Sequence, residues 1–160
     1  VGARVGVLPI PRLEIGVSAA SGEATVTMDG GTALTGDPVR DYDAFGLDFA
    51  YSTGGLKLLA ESMRQEIGDA SGSVAPMGGD WKTWYAQVSY LFPQTKWEGV
   101  LRYADYDSPH ASQDQKQTAF GVNYWVAPHA AAKLTFESND GQAGTATDAN
   151  RILAQLAYGF

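Results

Sequence analysis

The sequence predicts an all-β protein, an antiparallel up-and-down β-barrel that crosses a membrane. Apolar and polar residues alternate in nine segments, and a period of two is typical of strands with one apolar and one polar face. Short connections alternate strictly with long ones, and aromatic residues lie on the apolar faces beside the short ones. The alternation alone also fits a soluble barrel, so the turn rhythm and the aromatic positions favour the membrane.

Composition narrows the class of protein further. The chain has 160 residues, a formal net charge of −7 and no cysteine. The missing cysteines exclude disulfides and thiolate metal sites, and the acidic balance argues against nucleic acid as a partner. The sequence contains no run of about 18 apolar residues, so it predicts no transmembrane helix. A membrane β-barrel needs no such run, because its apolar residues alternate with polar ones. The chain begins at Val1 without a signal peptide, so we expect a processed or partial chain.

Nine strands are predicted in order, at 1–8, 13–20, 42–51, 56–67, 81–92, 97–106, 115–126, 130–139 and 150–160. Short turns of Pro, Gly and polar residues are predicted at 9–12, 52–55, 93–96 and 127–130. Long polar connections are predicted at 21–40, 69–79, 107–114 and 140–149. A meander with all its tight turns at one end is typical of a transmembrane barrel, whereas sandwiches mix hairpins with crossovers.

The apolar face of each strand justifies its assignment. In chain order these faces are Val1, Ala3, Val5 and Val7; Leu13, Ile15, Val17 and Ala19; Phe45, Leu47, Phe49 and Tyr51; Leu56, Leu58 and Ala60; Trp84, Ala86, Val88, Tyr90 and Phe92; Trp97, Gly99, Leu101 and Tyr103; Phe120, Val122, Tyr124 and Val126; Ala132, Leu134 and Phe136; Ile152, Ala154, Leu156, Tyr158 and Phe160. The fourth segment is ambiguous, because Leu56, Leu59, Met63 and Ile67 also form a helical stripe. The tight Gly-Gly turn before it favours a strand.

An aromatic girdle is predicted at the short-turn end of the barrel, the level at which such barrels meet the periplasm. It consists of Tyr51, Tyr90, Phe92, Trp97, Tyr124, Tyr158 and Phe160. Further aromatic residues lie higher on the same faces. The alternative is a soluble barrel whose core is packed with these aromatics.

The polar faces predict the lining of a pore. The candidate residues are Arg4, Glu14, Asp48, Lys57, Glu61, Gln87, Glu98, Arg102, Asn123, Lys133, Glu137 and Arg151. Charges on a pore wall set ion selectivity, although the same charges can instead pair and stiffen the wall. Five of these residues are basic and five acidic, so their formal charges predict no net field for anions.

Other kinds of site are not predicted. Glu98 and Glu137 are carboxylates that general acid–base catalysis uses, but nothing in the sequence places them around a substrate. Oxygen-rich loops can bind Ca²⁺ or link lipopolysaccharide through divalent ions, and the residues of this type are Asp105, Asp107, His110, Asp114, Asp140 and Asp148. They lack EF-hand spacing, so solvated polar loops are favoured. We therefore predict no enzyme, no metal and no cofactor.

The number of strands bears on the domain organisation. The first and last predicted strands both run towards the short-turn end, because nine is odd. Single-chain bacterial barrels have even strand numbers with both ends at the periplasmic side. We therefore expect an odd number of strands before Val1, and we interpret residues 1–160 as the C-terminal portion of one barrel domain.

Several segments together resemble a known family, the phosphate-selective porin O and P family of Gram-negative outer membranes. These segments are GARVGVLPIPRLEIG at 2–16, WYAQVSYLFP at 84–93, KWEGVLRYADYD at 96–107, GVNYWVAPHAAAKLTFE at 121–137 and NRILAQLAYGF at 150–160. The resemblance implies a barrel of about 16 strands, usually a homotrimer, that passes small anionic solutes by diffusion without a cofactor or a reaction. It also implies that the barrel-assembly machinery reads the closing strand, which ends on Phe160.

Three functions follow as hypotheses. The first is an outer-membrane porin, in contact with lipid and lipopolysaccharide, whose water-filled lumen passes small solutes or ions. The second is a structural or anchoring barrel with a plugged lumen, and the third is a soluble barrel that binds an apolar ligand inside. Anion selectivity in the family depends on lumenal Arg and Lys, whereas the lumenal charges balance here. We therefore transfer no phosphate-binding residue from the family.

Overall fold

The computed structural model describes residues 1–29, 32–33, 35–73, 77–109, 111–145 and 147–159. Its strands are β1 (Gly2–Ile10), β2 (Leu13–Ala24), β3 (Met28–Asp29), β4 (Thr32–Ala33), β5 (Arg40–Thr53), β6 (Leu56–Ile67), β7 (Gly79–Leu91), β8 (Trp97–Asp107), β9 (Gln115–Ala127), β10 (Ala130–Asp140) and β11 (Arg151–Tyr158). One short 3₁₀ turn, Ala111–Gln113, precedes β9. In the described part of the chain no helix is long and apolar enough to cross a membrane.

Nine of these strands form one antiparallel sheet in the order β1-β2-β5-β6-β7-β8-β9-β10-β11. Each strand pairs with the strand before it and the strand after it, while β1 and β11 form the two edges of an open sheet. The remaining two strands, β3 and β4, form a small hairpin. The all-β up-and-down prediction and the nine long strands are therefore confirmed.

The ambiguous fourth segment is a strand. Every residue of β6 from Leu56 to Ile67 pairs with β5 on one side and with β7 on the other. The turn before it spans only Gly54 and Gly55, and Gly54 has a φ of 53°, which glycine adopts without strain. A strand that follows so tight a turn can pair along its whole length, whereas a helix there would leave the edges of β5 and β7 unpaired.

Several boundaries differ from the prediction. β1 continues through Pro9 and Ile10, and the turn contracts to Pro11 and Arg12, where Arg12 has a φ of 73°. The strand register shifts between Val7 and Ile10, which accommodates a proline that cannot donate to the ladder. The expectation of a turn over 9–12 was therefore too wide.

The expectation of one loop over residues 21–40 is wrong at both ends. β2 extends to Ala24, β5 already begins at Arg40, and β3 and β4 pair between them. Residues Ser21 and Glu23 lack an apolar period but pair with Asp43 and Asp41. Backbone pairing needs no apolar side chain, so the sheet continues where the sequence pattern stops.

The alternation of short and long connections is present in the structure. The connections at one end are 11–12, 54–55, 92–96 and 128–129, and those at the other end are 25–39, 68–78, 108–114 and 141–150. All the tight turns therefore lie at one end of the sheet, as predicted. We call this the short-turn end and the opposite one the loop end.

The sheet is a single layer without a packed core. Among the described residues, the buried apolar side chains are only Ala70, Ala119 and Ala131. Large apolar side chains are exposed instead, among them Phe120 at 57% and Leu134 at 55%. A sheet of a soluble domain buries such a face against another layer, so this apolar surface requires an environment other than water.

Candidate functional site

The strand register assigns every predicted pore residue to a face. Residues directly paired across neighbouring strands point the same way, as in the row from Gln87 through Arg102 and Ala119 to Glu137 and on to Arg151. Followed through all pairs, the register puts the whole predicted set on one face, which we call the polar face: Arg4, Glu14, Asp48, Lys57, Glu61, Gln87, Glu98, Arg102, Asn123, Lys133, Glu137 and Arg151. Their role in lining a pore stays a prediction.

The opposite face, here called the apolar face, carries the predicted girdle at the short-turn end. Tyr51, Tyr90, Trp97, Tyr124 and Tyr158 all lie on it by register. The Trp97 and Tyr124 rings are 4.7 Å apart between centroids, so neighbouring strands contribute to one aromatic row.

Phe92 follows the end of β7, and its ring meets that of Tyr90 edge-on at 5.4 Å between centroids. Phe160 lies outside the described residues. The membrane-facing role of the girdle stays a prediction.

The apolar face becomes charged towards the loop end. Arg64 donates to Asp80 through Nε at 2.8 Å and lies 3.3 Å from Glu66, and Lys82 lies 3.2 Å from Asp80. Lys116 pairs with Asp105 across the next strands on the same face. The apolar band is therefore bounded by aromatic rings at one end and by ion pairs at the other.

A compact ion cluster occupies the polar face of β1, β2 and β5. Arg4 donates to Asp48 through Nε at 3.0 Å and through Nη2 at 2.6 Å, and Nη2 also lies 2.8 Å from Glu14 Oε1. Arg4 crosses β2 at Gly16, where an added Cβ would lie 2.6 Å from Arg4 Nη2 and would also meet the Asp48 carboxylate. Glycine at position 16 thus permits one cation to join two carboxylates on different strands.

A second cluster surrounds Glu98 near the short-turn end of the polar face. Glu98 is only 5% exposed, and its Oε2 accepts hydrogen bonds from Asn123 Nδ2 and Trp125 Nε1, each at 3.1 Å. A buried carboxylate requires such donors, because an uncompensated buried charge is costly. The carboxylate and the indole therefore hold each other in place on this face.

The Glu137 carboxylate is also paired. Arg151 on the edge strand β11 donates to its Oε2 through Nε at 3.1 Å and approaches it through Nη2 at 2.9 Å. This pair ties β11 to β10 beyond the backbone ladder and leaves no net charge.

The other cations of the polar face are not paired in this way. Arg102 places its guanidinium carbon 4.0 Å from the centroid of the Tyr85 ring, and its Nε is buried without a hydrogen-bond partner among the described residues. Within the described part of the chain, neither Lys57 nor Lys133 forms an ion pair, and neither does Glu61.

The sequence missed two aromatic residues of this face. Tyr85 stacks with Arg102, and Trp125 holds Glu98, yet neither was counted among the site residues. Their positions in the alternating pattern indicate the polar face, since each lies on the polar side of its strand. An aromatic ring on the polar side of an alternating strand is therefore a candidate partner for a charge.

At the loop end, a buried polar junction joins two long connections. Arg40 begins β5, pairs with Ala24 and points to the polar face by register. Its side chain is 4% exposed and lies 3.5 Å from Asp37, which is equally buried. Arg40 Nη2 also donates to the Ser73 hydroxyl, which in turn donates to Asp37 at 3.1 Å. The connections 25–39 and 68–78 therefore meet over one guanidinium on the polar-face side.

The acidic loops show ordinary polar contacts. Asp114 accepts a hydrogen bond from the Ser108 backbone at 2.8 Å, and Asp140 pairs with Lys116 across β9 and β10. In the described residues, no three His, Cys, Asp or Glu side chains lie close enough to hold a metal ion. His110 lies outside the described residues.

Comparisons with known proteins point in one direction. The family model described as "Phosphate-selective porin O and P" matches residues 2–160. No curated protein matches the chain. Among solved structures, the sheet is similar to the anion-selective porin from Comamonas acidovorans, at a TM-score of 0.66 and 17% identity, over 98% of this chain and 43% of that one.

It is also similar to OmpT, an outer membrane protein of Vibrio cholerae, folded in vitro, at a TM-score of 0.59 and 17% identity over 95% of this chain and 49% of that one. The loop L8 deletion mutant of OmpT gives a TM-score of 0.63 and 19% identity, over 97% and 51%. The chain thus spans about half the length of these structures or less. At such low identity the likeness shows a shared fold, that of the wall of an outer-membrane barrel.

Proposed function

The chain belongs to the phosphate-selective porin O and P family, and from that premise we propose that it forms part of the wall of a passive diffusion channel. Its family and fold place it in the outer membrane of Gram-negative bacteria. In the proposal the polar face lines a water-filled lumen and the apolar face meets lipid. The observation that carries it is the segregation of every predicted pore residue onto one face, opposite an apolar band with aromatic edges.

The exposure of the two faces supports this orientation. No second layer covers the sheet within the described residues, yet Glu98 and Ser89 on the polar face are 5% and 4% exposed. Phe120 and Leu134 on the apolar face are more than half exposed. Side chains crowd together on the concave side of a curved sheet and spread apart on the convex side. The polar face is therefore best assigned to the inside of the barrel.

We propose further that the lumen prefers anions. Arg4 and Arg151 are neutralised by carboxylates that they contact directly. On the polar face of β6 to β10, the cations without an ion pair among the described residues are Arg102, Lys57 and Lys133. The same part of the face carries two carboxylates that have no ion pair in the described part of the chain, Glu61 and the buried Glu98. Cations without a direct counter-ion raise the local concentration of anionic solutes. The balanced formal count therefore understates the attraction for anions along β6 to β10.

The channel is tested with the full-length protein in planar lipid bilayers. We expect discrete conductance steps, and in a KCl gradient a reversal potential of the sign that anion preference requires. Bilayers without any steps would reject the channel. Steps with a cation-selective reversal potential would reject only the anion preference.

The two other hypotheses make different predictions for the same preparation. A structural barrel with a plugged lumen inserts into the membrane without conducting. A soluble ligand-binding barrel needs its apolar side chains inside, and the high exposure of Phe120 and Leu134 argues against that arrangement. The two faces fit either membrane barrel, and conductance separates the channel from the plugged barrel.

The partners belong to the same proposal. We expect the full barrel to assemble as a homotrimer, to contact lipid and lipopolysaccharide through its apolar face, and to pass small solutes without catalysing a reaction. We also expect the barrel-assembly machinery to engage β11, which pairs only with β10 among the described strands. Cross-linking of the detergent-solubilised protein would report the trimer.

A further inference from the structure

The Arg102–Tyr85 pair forms a distinctive surface on the polar face. The guanidinium carbon lies 4.0 Å from the ring centroid, so the phenol ring shields part of the guanidinium from water. Arginine makes such contacts through a planar, weakly hydrated group, which lysine lacks. Arg102 is only partly buried and lies on the polar face, so part of its side chain remains accessible on the side on which a solute would pass.

The hydration of this guanidinium is reduced in two ways. Its Nε is buried and has no hydrogen-bond partner in the described residues, and the Tyr85 ring excludes water from the part of the group that it contacts. A buried N–H without a partner has already lost its water. The group therefore offers less to a strongly hydrated anion, which must give up its own water, than to a weakly hydrated one.

The residues paired directly with Arg102 are neutral, while Glu61 on β6 is paired with Tyr85. Gln87 lies opposite Arg102 on β7 and Ala119 opposite it on β9. One cation, with a carboxylate on the far side of its ring partner, suits a singly charged anion better than a multiply charged one. Ala104, paired with Tyr85, presents only a methyl group to this surface.

From these observations we infer that Arg102 and Tyr85 form a subsite for small aromatic monocarboxylates in the lumen. The inference deepens the proposed channel and rests on it. The solute ring packs on the part of the guanidinium that Tyr85 leaves accessible, so that Arg102 contacts two aromatic rings, and the carboxylate of the solute is attracted by the charge of Arg102. Cation–π contacts in partly desolvated settings are worth about 1 to 2 kcal/mol, or about fivefold to thirtyfold in affinity.

Two probes of equal charge and similar size test the subsite. Benzoate carries a flat ring and cyclohexanecarboxylate a puckered one without π electrons. Isothermal calorimetry on the detergent-solubilised full-length protein is expected to show benzoate binding at least about fivefold tighter. Tyr85→Leu is expected to abolish the difference, whereas Tyr85→Phe retains it. Arg102→Lys, which keeps the charge without the planar group, is expected to reduce it.

Circular dichroism first establishes that each variant keeps its β-structure. Equal binding of the two probes to the unmodified protein, or a benzoate preference that survives both Tyr85→Leu and Arg102→Lys, would overturn the inference. Bilayer recordings of the same preparation separate the two proposals. Conductance steps without benzoate discrimination reject the subsite alone, and benzoate discrimination without steps rejects the channel while retaining the subsite.

Discussion

Two parts of the polar face treat their charges differently. On β1, β2 and β5, Arg4 is held by Asp48 and Glu14, and we call these three residues the pinned region. On β6 to β10, Lys57, Glu61, Arg102 and Lys133 form no ion pairs among the described residues, and we call these four the open region. The pinned region has one cation against two carboxylates, while the open region has three cations against Glu61, with the buried Glu98 beside it. A count over the whole face cancels this difference, so the placement of charges governs the field that a solute meets.

The largest effect is expected on membrane assembly, which tests whether both regions face the lumen. Val122→Arg puts a charge on the apolar face, where it should cost about 2–4 kcal/mol near the middle of the membrane and block assembly. Asn123→Arg, one residue along β9, adds a cation to the polar face and should assemble. Heat-modifiable migration on gels of outer-membrane fractions measures assembly. Similar behaviour of the two variants would mean that the facing is wrong.

The next effect concerns the pinned region. Gly16→Ala should destabilise the barrel by about 1–3 kcal/mol, because the new Cβ would displace the Asp48 carboxylate and lie 2.6 Å from Arg4 Nη2. Gly22→Ala on the same strand is the control, since nothing lies within 4 Å of a Cβ there. The urea midpoint of unfolding in lipid vesicles measures both. If the two midpoints fall equally, the ion cluster does not depend on the space at position 16.

A smaller effect is expected at Glu98, beside the open region. Trp125→Phe keeps a ring but removes the indole N–H that donates to Glu98 at 3.1 Å, and should cost about 1 kcal/mol. Trp84→Phe makes the same chemical change on the apolar face, where the indole N–H has no hydrogen bond among the described residues. If the unfolding midpoint of Trp125→Phe is no lower than that of Trp84→Phe, the hydrogen bond from Trp125 to Glu98 does not have the role assigned to it.

The smallest expected effect is on ion selectivity, and it tests the open region directly. Arg102→Gln should lower the anion-to-cation permeability ratio about twofold in 0.1 M KCl, because it removes a cation that contacts no carboxylate. Lys116→Gln changes the charge equally on the apolar face and should leave the ratio unaltered. At about 1 M KCl the effect of Arg102→Gln should shrink, since the screening length falls to about 3 Å. Reversal potentials that shift equally for both variants would contradict the lumenal position of Arg102.

The sequence alone could predict the faces of the sheet, since side-chain alternation is a local property of each strand. It could not predict the pairing of charges. Arg4 meets Asp48, 44 residues away, only because the register of two strand pairs brings them across Gly16. The stacking of Tyr85 on Arg102 likewise depends on the register of β7 and β8. Contacts between strands follow from register, and register is set by turns and backbone pairing that the alternation of one strand does not encode.

Strand ends were predicted less well than strand centres for a related reason. Ser21 and Glu23 continue β2 without any apolar partner pattern, because that part of the strand pairs with Asp43 and Asp41 through backbone groups. Hydrophobic alternation marks only the portion of each strand that carries the apolar band. The sheet is therefore longer than the pattern that predicts it.

The junction at Arg40 has a consequence for how the loop end can change over evolution. One guanidinium, almost inaccessible to solvent, serves Asp37 in one connection and Ser73 in another. A chimaera that exchanges either connection alone would leave the buried Arg40 guanidinium without one of its partners and without water to replace it. The two connections are therefore expected to be inherited together, so that diversity at this rim arises by replacing them as a pair.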